Sequence, residues 1–216
     1  EVGGFTGIVA PDERTAAFLV SQRGLDVREA MSLCRRWQAD PDAEYALELT
    51  FDASTLTPLV ALPGDPGNGV PVDELPEDVP IEIAYGGSCT AGKREDMDMY
   101  AVVLAEGLAR GQRVHAGVRF YIQFGAQEVK EYCRARGYLD LFERAGVEVI
   151  DPSCGACINA GPGASTRPEQ IGISAQNRNF PGRSGPGQLY LASPLTVAAS
   201  ALAGKIAAWV PAVPAE

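Results

Sequence analysis

The sequence predicts an α/β protein with a mostly parallel sheet that helices cover on both faces, a three-layer α/β/α arrangement. Between residues 81 and 203, segments typical of strands alternate with segments of helical periodicity, and this order favours parallel sheets. The stretch 81–110 is typical of a strand, a tight turn and a helix, which is the first half of a βαβ unit. The chain has 216 residues, 46% of them hydrophobic, which suffices for one large domain or two small ones.

The first part of the chain, residues 1–75, is expected to form a partial α/β lobe that ends in a linker. A helix is predicted to begin at Pro11, because proline and the acidic residues after it suit a first helical turn. A second helix is predicted over Val27–Trp37, and a strand over Ala46–Phe51. Residues 63–80 are rich in proline, glycine and acidic side chains, which predicts a linker between lobes.

The second part, residues 76–216, is expected to be an α/β domain that binds the ligand. Its predicted strands are Ile81–Ala84, Val118–Ile122, Val147–Ile150, Gln170–Ser174 and Gln188–Leu191. Its predicted helices are Lys93–Arg110, Ala126–Arg136, Tyr138–Ala145 and Pro194–Ala203. In such sheets, ligands bind beyond the carboxyl ends of the strands, so the loops that follow the strands are the candidate site.

The composition excludes several classes of function. A net charge of −10 argues against a nucleic-acid partner, and no apolar run approaches the ~18 residues that a transmembrane helix needs, so no membrane partner is expected. Five cysteines are an odd count at modest density, which indicates a reducing compartment such as the cytoplasm. The single histidine, His115, would have to serve any catalytic dyad or triad.

Three cysteines lie in predicted loops and are the candidate ligands. Cys154 and Cys157 are three residues apart among small residues, and Cys89 follows a strand just before a helix, a position that favours thiolate. Cys34 and Cys133 fall on apolar helix faces and are interpreted as core residues. The loop thiols alone are compatible with a redox pair, a structural zinc site, plain packing, or a four-iron cluster with one open iron.

Arginines are concentrated near the C-x-x-C motif. Between Pro152 and Leu195 the only charged residues are Arg167, Glu169, Arg178 and Arg183, a local charge of +2 from three arginines and one glutamate. The planar guanidinium matches carboxylates bidentately, so this region suggests capture of a di- or tricarboxylate. The alternative is that these arginines are solvated loop residues.

The motifs Ser88-Cys89-Thr90, Cys154-x-x-Cys157 and Asn177–Arg183, followed by Ser193-Pro194, resemble the consecutive signatures of the aconitase and isopropylmalate isomerase family. The resemblance runs through nearly the whole chain and is greatest to isopropylmalate dehydratase large subunits. It implies that residues 76–216 form an aconitase-like cluster domain. One departure is Ala91, where the family usually has asparagine; alanine removes a side-chain hydrogen bond near the cluster.

The resemblance also implies a set of site residues. A 4Fe-4S cluster would be ligated by Cys89, Cys154 and Cys157. Arg178 and Arg183 would bind substrate carboxylates, and Asn177 would lie close to the cluster. Glu1 would act near the hydroxyl of the substrate and is the candidate catalytic residue.

The implied activity is that of an iron–sulfur hydro-lyase, a dehydratase or isomerase of a hydroxy di- or tricarboxylic acid, as in leucine biosynthesis. The alternatives are a non-catalytic iron–sulfur sensing or binding module, or a zinc or redox protein. The family's base is a serine on a swivelling domain or small subunit. We therefore expect this chain to be an incomplete part, inactive alone, whose partners are the small-molecule substrate, a preceding segment and that swivelling domain.

Overall fold

The computed structural model describes residues 5–76 and 78–211. The chain divides into two compact units between Thr55 and Leu56. We call the described residues 5–55 the N-terminal unit and those from 56 to 211 the sheet unit. This division lies earlier in the chain than the predicted boundary at 75/76, because the strands just after residue 56 join the main sheet.

Two helices, α1 (Glu13–Arg23) and α2 (Val27–Arg36), form the N-terminal unit together with a 3-10 turn at Ala53–Thr55. α1 begins at Glu13 rather than at Pro11, and Asp12 caps it, since the Asp12 carboxylate accepts a hydrogen bond from the Thr15 amide at 2.9 Å. The unit's small core contains Cys34, which is 6% exposed, so its interpretation as a core residue is confirmed.

The predicted strand Ala46–Phe51 is wrong, since the described chain has no strand there. Its apolar side chains alternate as a strand requires, yet Leu47, Leu49 and Phe51 are all exposed. A strand needs a neighbouring strand to complete its hydrogen bonds, and the N-terminal unit has none among residues 5–55.

A seven-stranded sheet forms the sheet unit, and it confirms the α/β class with a mostly parallel sheet. The strands are β1 (Leu59–Ala61), β2 (Gly69–Pro71), β3 (Ile83–Gly87), β4 (Arg119–Gln123), β5 (Val147–Ile150), β6 (Ile171–Ser174) and β7 (Gln188–Ala192). Their spatial order is β2-β1-β7-β6-β3-β4-β5, in which β3 to β7 are parallel and β1 is antiparallel to both neighbours.

Residues 63–80 do not form a linker, because they contain β2 and a 3-10 turn at Val72–Glu74. Val60 pairs with Val70 in β2 and with Ala192 in β7, which fixes the stretch to the sheet. Proline and glycine here mark tight turns between short edge strands.

Four helices pack on one face of the sheet: α3 (Arg94–Ala109), α4 (Gln127–Ala135), α5 (Tyr138–Ala145) and α6 (Pro194–Ala203). Strand residues that alternate along β3 and β4, such as Ala84 and Phe120, point into this core. Cys133 of α4 is fully buried there, as predicted, and burial with the nearby Asp98 charge raises the pKa of its thiol to about 12.

The opposite face of the sheet carries a smaller cluster of Ile83, Tyr85 and Tyr121, against which Ala156 and Ala164 of the C-x-x-C loop pack. Within the described residues of the sheet unit, the side chains that pack on this cluster come from strands and from the C-x-x-C loop.

Because β3, β4, β5 and β6 are parallel neighbours, the loops that follow them lie at one edge of the sheet, which we call the carboxyl edge. The loops that precede these strands form the amino edge. Throughout the described stretches, every helix is too short or too polar to cross a bilayer.

Candidate functional site

The Cys89 loop leaves β3 through a turn that only glycine fits. Gly87 has φ of 100°, and a β-carbon there would lie 1.8 Å from the Gln123 carbonyl oxygen. The buried Tyr100 of α3 then holds the loop, since its hydroxyl accepts from the Gly87 amide and donates to the Ala91 carbonyl, both at 3.1 Å. Ala91 itself is left-handed, with φ of 34°, a conformation that alanine disfavours.

Cys89 is exposed in this loop, five residues before the start of α3. The helix begins only at Arg94, and the carboxylate of Asp96 accepts a hydrogen bond from the Lys93 amide at 2.8 Å. Cys89 therefore lies outside the first helical turn.

The C-x-x-C loop follows β5 and contains a 3-10 turn at Gly155–Ile158. The Cys157 amide donates to the Cys154 carbonyl at 3.1 Å, so the two cysteines are joined by one tight turn. Cys154 is exposed and Cys157 is buried, at 7% exposure. Gly163 in the same loop packs directly on Tyr85, since a β-carbon there would lie 2.2 Å from the Tyr85 ring.

Beneath this turn lies a pair of buried polar side chains that the sequence interpretation missed. The Tyr85 hydroxyl donates to the Gln123 Oε1 at 2.6 Å, and the Gln123 Nε2 donates to the Ser153 hydroxyl. Burial raises the pKa of Tyr85, the Ala156 amide partly offsets this, and the charges of Cys157 and Cys154 raise it further. The available signal was the presence of polar side chains inside strands that are otherwise apolar.

The loop between β6 and β7, residues 175–187, contains Arg178 and Arg183 and contacts the C-x-x-C loop. We call it the arginine loop. Asn177 and Arg178 are half-buried at its start. Asn179 anchors it, because its Nδ2 donates to the carbonyls of Leu62 at 2.8 Å and Leu189 at 3.0 Å. Further along, the Nη2 of Arg183 donates to the Cys157 Sγ at 3.1 Å, a hydrogen bond that the guanidinium charge strengthens.

Three buried polar atoms in this region have no hydrogen-bond partner among the described residues: the Ser88 hydroxyl, the Asn179 Oδ1 and the Arg183 Nε. Native proteins satisfy nearly all buried polar groups, so a cluster of exceptions calls for a partner outside the chain. All three lie in or beside the loops at the carboxyl edge. Their position marks this edge as a ligand site.

Two residues considered from the sequence lie elsewhere. Arg167 is at the amino edge, where it is paired at 2.8 Å with both Glu82 and Glu169, so it does not contribute to the positive charge beside Cys157. His115 precedes β4 at the same edge, and its Nδ1 accepts from the Gly117 amide at 3.2 Å. Glu1 lies outside the described residues.

The structure thus brings Cys89, Cys154 and Cys157 to one edge of the sheet, next to Arg183. Among residues 5–76 and 78–211, no three His, Cys, Asp or Glu side chains converge closely enough to hold a single metal ion. An iron–sulfur cluster offers a different iron atom to each thiolate, so its ligands stand farther apart than the ligands of one ion. The three thiols lie on two braced turns, with Cys89 on one and the Cys154–Cys157 pair on the other.

Comparison with known proteins agrees with this site. Residues 1–79 and 74–204 match the sequence profile of the aconitase family (aconitate hydratase). The chain belongs to the aconitase family. Its match to this aconitase profile covers all three cysteines and both candidate substrate arginines.

Relatives within the aconitase family include 3-isopropylmalate dehydratase large subunits of Methanopyrus kandleri, 39% identical over 95% of this chain, and of Aquifex aeolicus, 40% identical over 96%. Mitochondrial homoaconitase of Eremothecium gossypii is 46% identical over 79% of the chain. The chain spans about half the length of the dehydratase subunits, 46% in both cases, and 25% of the homoaconitase.

Proposed function

We propose that this chain is the cluster-binding part of an iron–sulfur hydro-lyase that dehydrates or isomerises a hydroxy di- or tricarboxylic acid, most like a 3-isopropylmalate dehydratase large subunit. Cys89, Cys154 and Cys157 are the proposed ligands of a 4Fe-4S cluster. The proposed cellular location is the cytoplasm, whose reducing conditions preserve the free thiols.

The observation that carries the proposal is the state of Arg183. Its Nη2 contacts the Cys157 Sγ at 3.1 Å, while its Nε is buried without a partner within the described chain. A buried guanidinium nitrogen without a partner costs free energy unless an anion meets it. A carboxylate bound beside the cysteines would supply that anion, and the guanidinium fork would fix its orientation.

When bound, a cluster held by only three cysteines supplies one open iron, which acts as a Lewis acid toward a substrate hydroxyl. The residues of this chain orient the substrate for that chemistry. Arg183 and Arg178 are proposed to hold its carboxylates, and Asn177 to lie beside the cluster. Holding a reactant in one orientation lowers the entropic part of the barrier.

The proton-transfer groups are proposed to come from other parts of the enzyme. Within this chain, Glu1 is the proposed catalytic residue, placed near the substrate hydroxyl or the water that replaces it. A serine on a swivelling domain or small subunit is the proposed base, and a preceding segment would supply further acid and base residues. Ala91 is proposed to tune the site or its substrate preference rather than to prevent ligation.

Anaerobic reconstitution of the 216-residue chain with iron and sulfide tests the cofactor. We expect broad visible absorbance from thiolate-bound iron, and we expect Cys154→Ser to lose it. Cys133→Ser is the matched control, because Cys133 is buried in the helical core and should leave the chromophore unchanged. Stoichiometric zinc without a chromophore would contradict the proposal.

Turnover separates the enzyme from a non-catalytic iron–sulfur module. The reconstituted chain is assayed for hydration of unsaturated di- and tricarboxylates, alone and together with the preceding segment and the small subunit. We expect turnover only in the complete assembly. A cluster-containing assembly without turnover on any such acid would favour the sensing or binding module.

A further inference from the structure

Gln123 is the last residue of β4 and is fully buried, with 0% of its surface exposed. A buried primary amide is costly unless its groups are bonded, and here all of them are. Its Oε1 accepts from the Tyr85 hydroxyl at 2.6 Å, and its Nε2 donates to the Asp151 carbonyl at 3.1 Å and to the Ser153 hydroxyl. Its main-chain carbonyl accepts from the Ser88 amide at 3.1 Å.

These partners join the two cysteine loops through one residue. Ser88 immediately precedes Cys89, and Ser153 immediately precedes Cys154. β4 lies between β3 and β5, so the end of β4 is the one position in the sheet that adjoins both loops. Gln123 holds the first loop with its backbone and the second with its side chain.

Tyr85 supports the same turn through its contact with Gly155 and its bond to Gln123. Its ring is 1% exposed, and a β-carbon on Gly155 would lie 2.7 Å from its hydroxyl oxygen. The turn with Cys154 and Cys157 therefore rests directly on the Tyr85 hydroxyl, whose own direction is fixed by its bond to Gln123. Neither side chain is a cluster ligand, and both act through the loops they hold.

We propose that Gln123 is a positioning residue that fixes the separation between Cys89 and the Cys154–Cys157 pair. The proposal rests on the proposed function only in naming the cluster as the ligand that needs this separation. Residues that hold metal ligands in position matter nearly as much as the ligands themselves. Their loss typically weakens metal binding about 10- to 100-fold.

The test measures iron release from the anaerobically reconstituted chain to a strong chelator, followed by the loss of visible absorbance. We expect Gln123→Leu to accelerate release about 10- to 100-fold. Ser153→Ala removes a single partner on an exposed loop residue, so the variant should fold normally and show a smaller acceleration in the same direction.

The matched control is Gln170→Leu. Gln170 is also buried, at 3% exposure, and its Oε1 accepts from the amides of Thr166 and Arg167, but it lies at the amino edge. Its substitution should lower stability while leaving the release rate within about twofold, a change too small to reflect lost coordination. Equal acceleration in Gln123→Leu and Gln170→Leu, or none in Gln123→Leu and Ser153→Ala, would overturn the proposal.

A second readout does not depend on the cluster. In the cluster-free chain, amide hydrogen exchange is measured for Cys157, Asn159 and Ala160, whose amides donate to carbonyls of residues 154–156 within the turn. Gln123→Leu should accelerate this exchange and Gln170→Leu should not, because only the former releases the turn. If the wild type binds no cluster, the proposed function fails while this measurement still decides the role of Gln123; unchanged exchange in Gln123→Leu would refute it.

Discussion

The two edges of the parallel sheet use the same residue types in opposite ways. At the amino edge, Arg167 is about half exposed and its charge is met by Glu82 and Glu169. At the carboxyl edge, Arg183 is half-buried, contacts a cysteine sulfur, and keeps one guanidinium nitrogen without a partner among the described residues. Arg167 is neutralised within the chain, whereas Arg183 leaves one nitrogen for the proposed ligand.

The glutamines and glycines repeat this contrast. Gln170 at the amino edge bonds the connection before β6 and Glu82 before β3, whereas Gln123 at the carboxyl edge joins the two cysteine loops. Gly111 near the amino edge has open space around its α-carbon, whereas Gly87 lies against backbone. These two glycines differ in how closely neighbouring backbone approaches them.

The largest expected effect comes from Gly87→Ala. The new β-carbon would lie 1.8 Å from the Gln123 carbonyl oxygen at a φ of 100°, so backbone must move, and we expect a loss of about 4 kcal/mol or more in the free energy of unfolding. Gly111→Ala also has positive φ, of 74°, but meets no atom within 4 Å, and should cost about 1–2 kcal/mol. Denaturant titration measures both; similar losses would contradict a steric cost specific to Gly87.

The next effect is on activity. In the assembled enzyme, Arg183→Lys keeps the charge but loses the bidentate fork, so kcat/KM should fall by on the order of 2–4 kcal/mol in transition-state terms. Arg167→Lys is the control, since its exposed ion pairs predict a change below about 1 kcal/mol. Visible absorbance confirms equal cluster content first. Near wild-type activity of Arg183→Lys would show that this arginine does not recognise the substrate.

A smaller effect is expected from Tyr100→Phe, which removes the hydroxyl that bonds both Gly87 and Ala91. Leaving these buried groups without a partner should cost about 1–3 kcal/mol and should accelerate amide exchange in the Cys89 loop. Tyr138→Phe removes one hydroxyl on a half-buried ring that donates to Asp98, and should cost about 1 kcal/mol or less. Unchanged amide exchange around Cys89 in Tyr100→Phe would show that α3 does not hold the Cys89 loop in place.

The sequence by itself determined the order of elements in the sheet unit. The predicted bounds of α5, β5 and α6 coincide with the structure. The signals there are local: Ser193 accepts a hydrogen bond from the Thr196 amide to cap α6, with Pro194 as its first residue, and Gly204 ends it in the left-handed conformation. Such signals act over a few residues, so they can be recognised without knowing the rest of the fold.

Only the tertiary structure decided which groups meet. Arg167 was counted with Arg178 and Arg183 from the sequence, yet Glu82, 85 residues earlier, neutralises it. Tyr85 and Gln123, 38 residues apart, became partners because β3 and β4 pair in parallel register. Residues 46–51 alternate as a strand would but have no strand to pair with in the N-terminal unit. Pairing between distant residues depends on which segments the fold brings together, and the local sequence does not specify those neighbours.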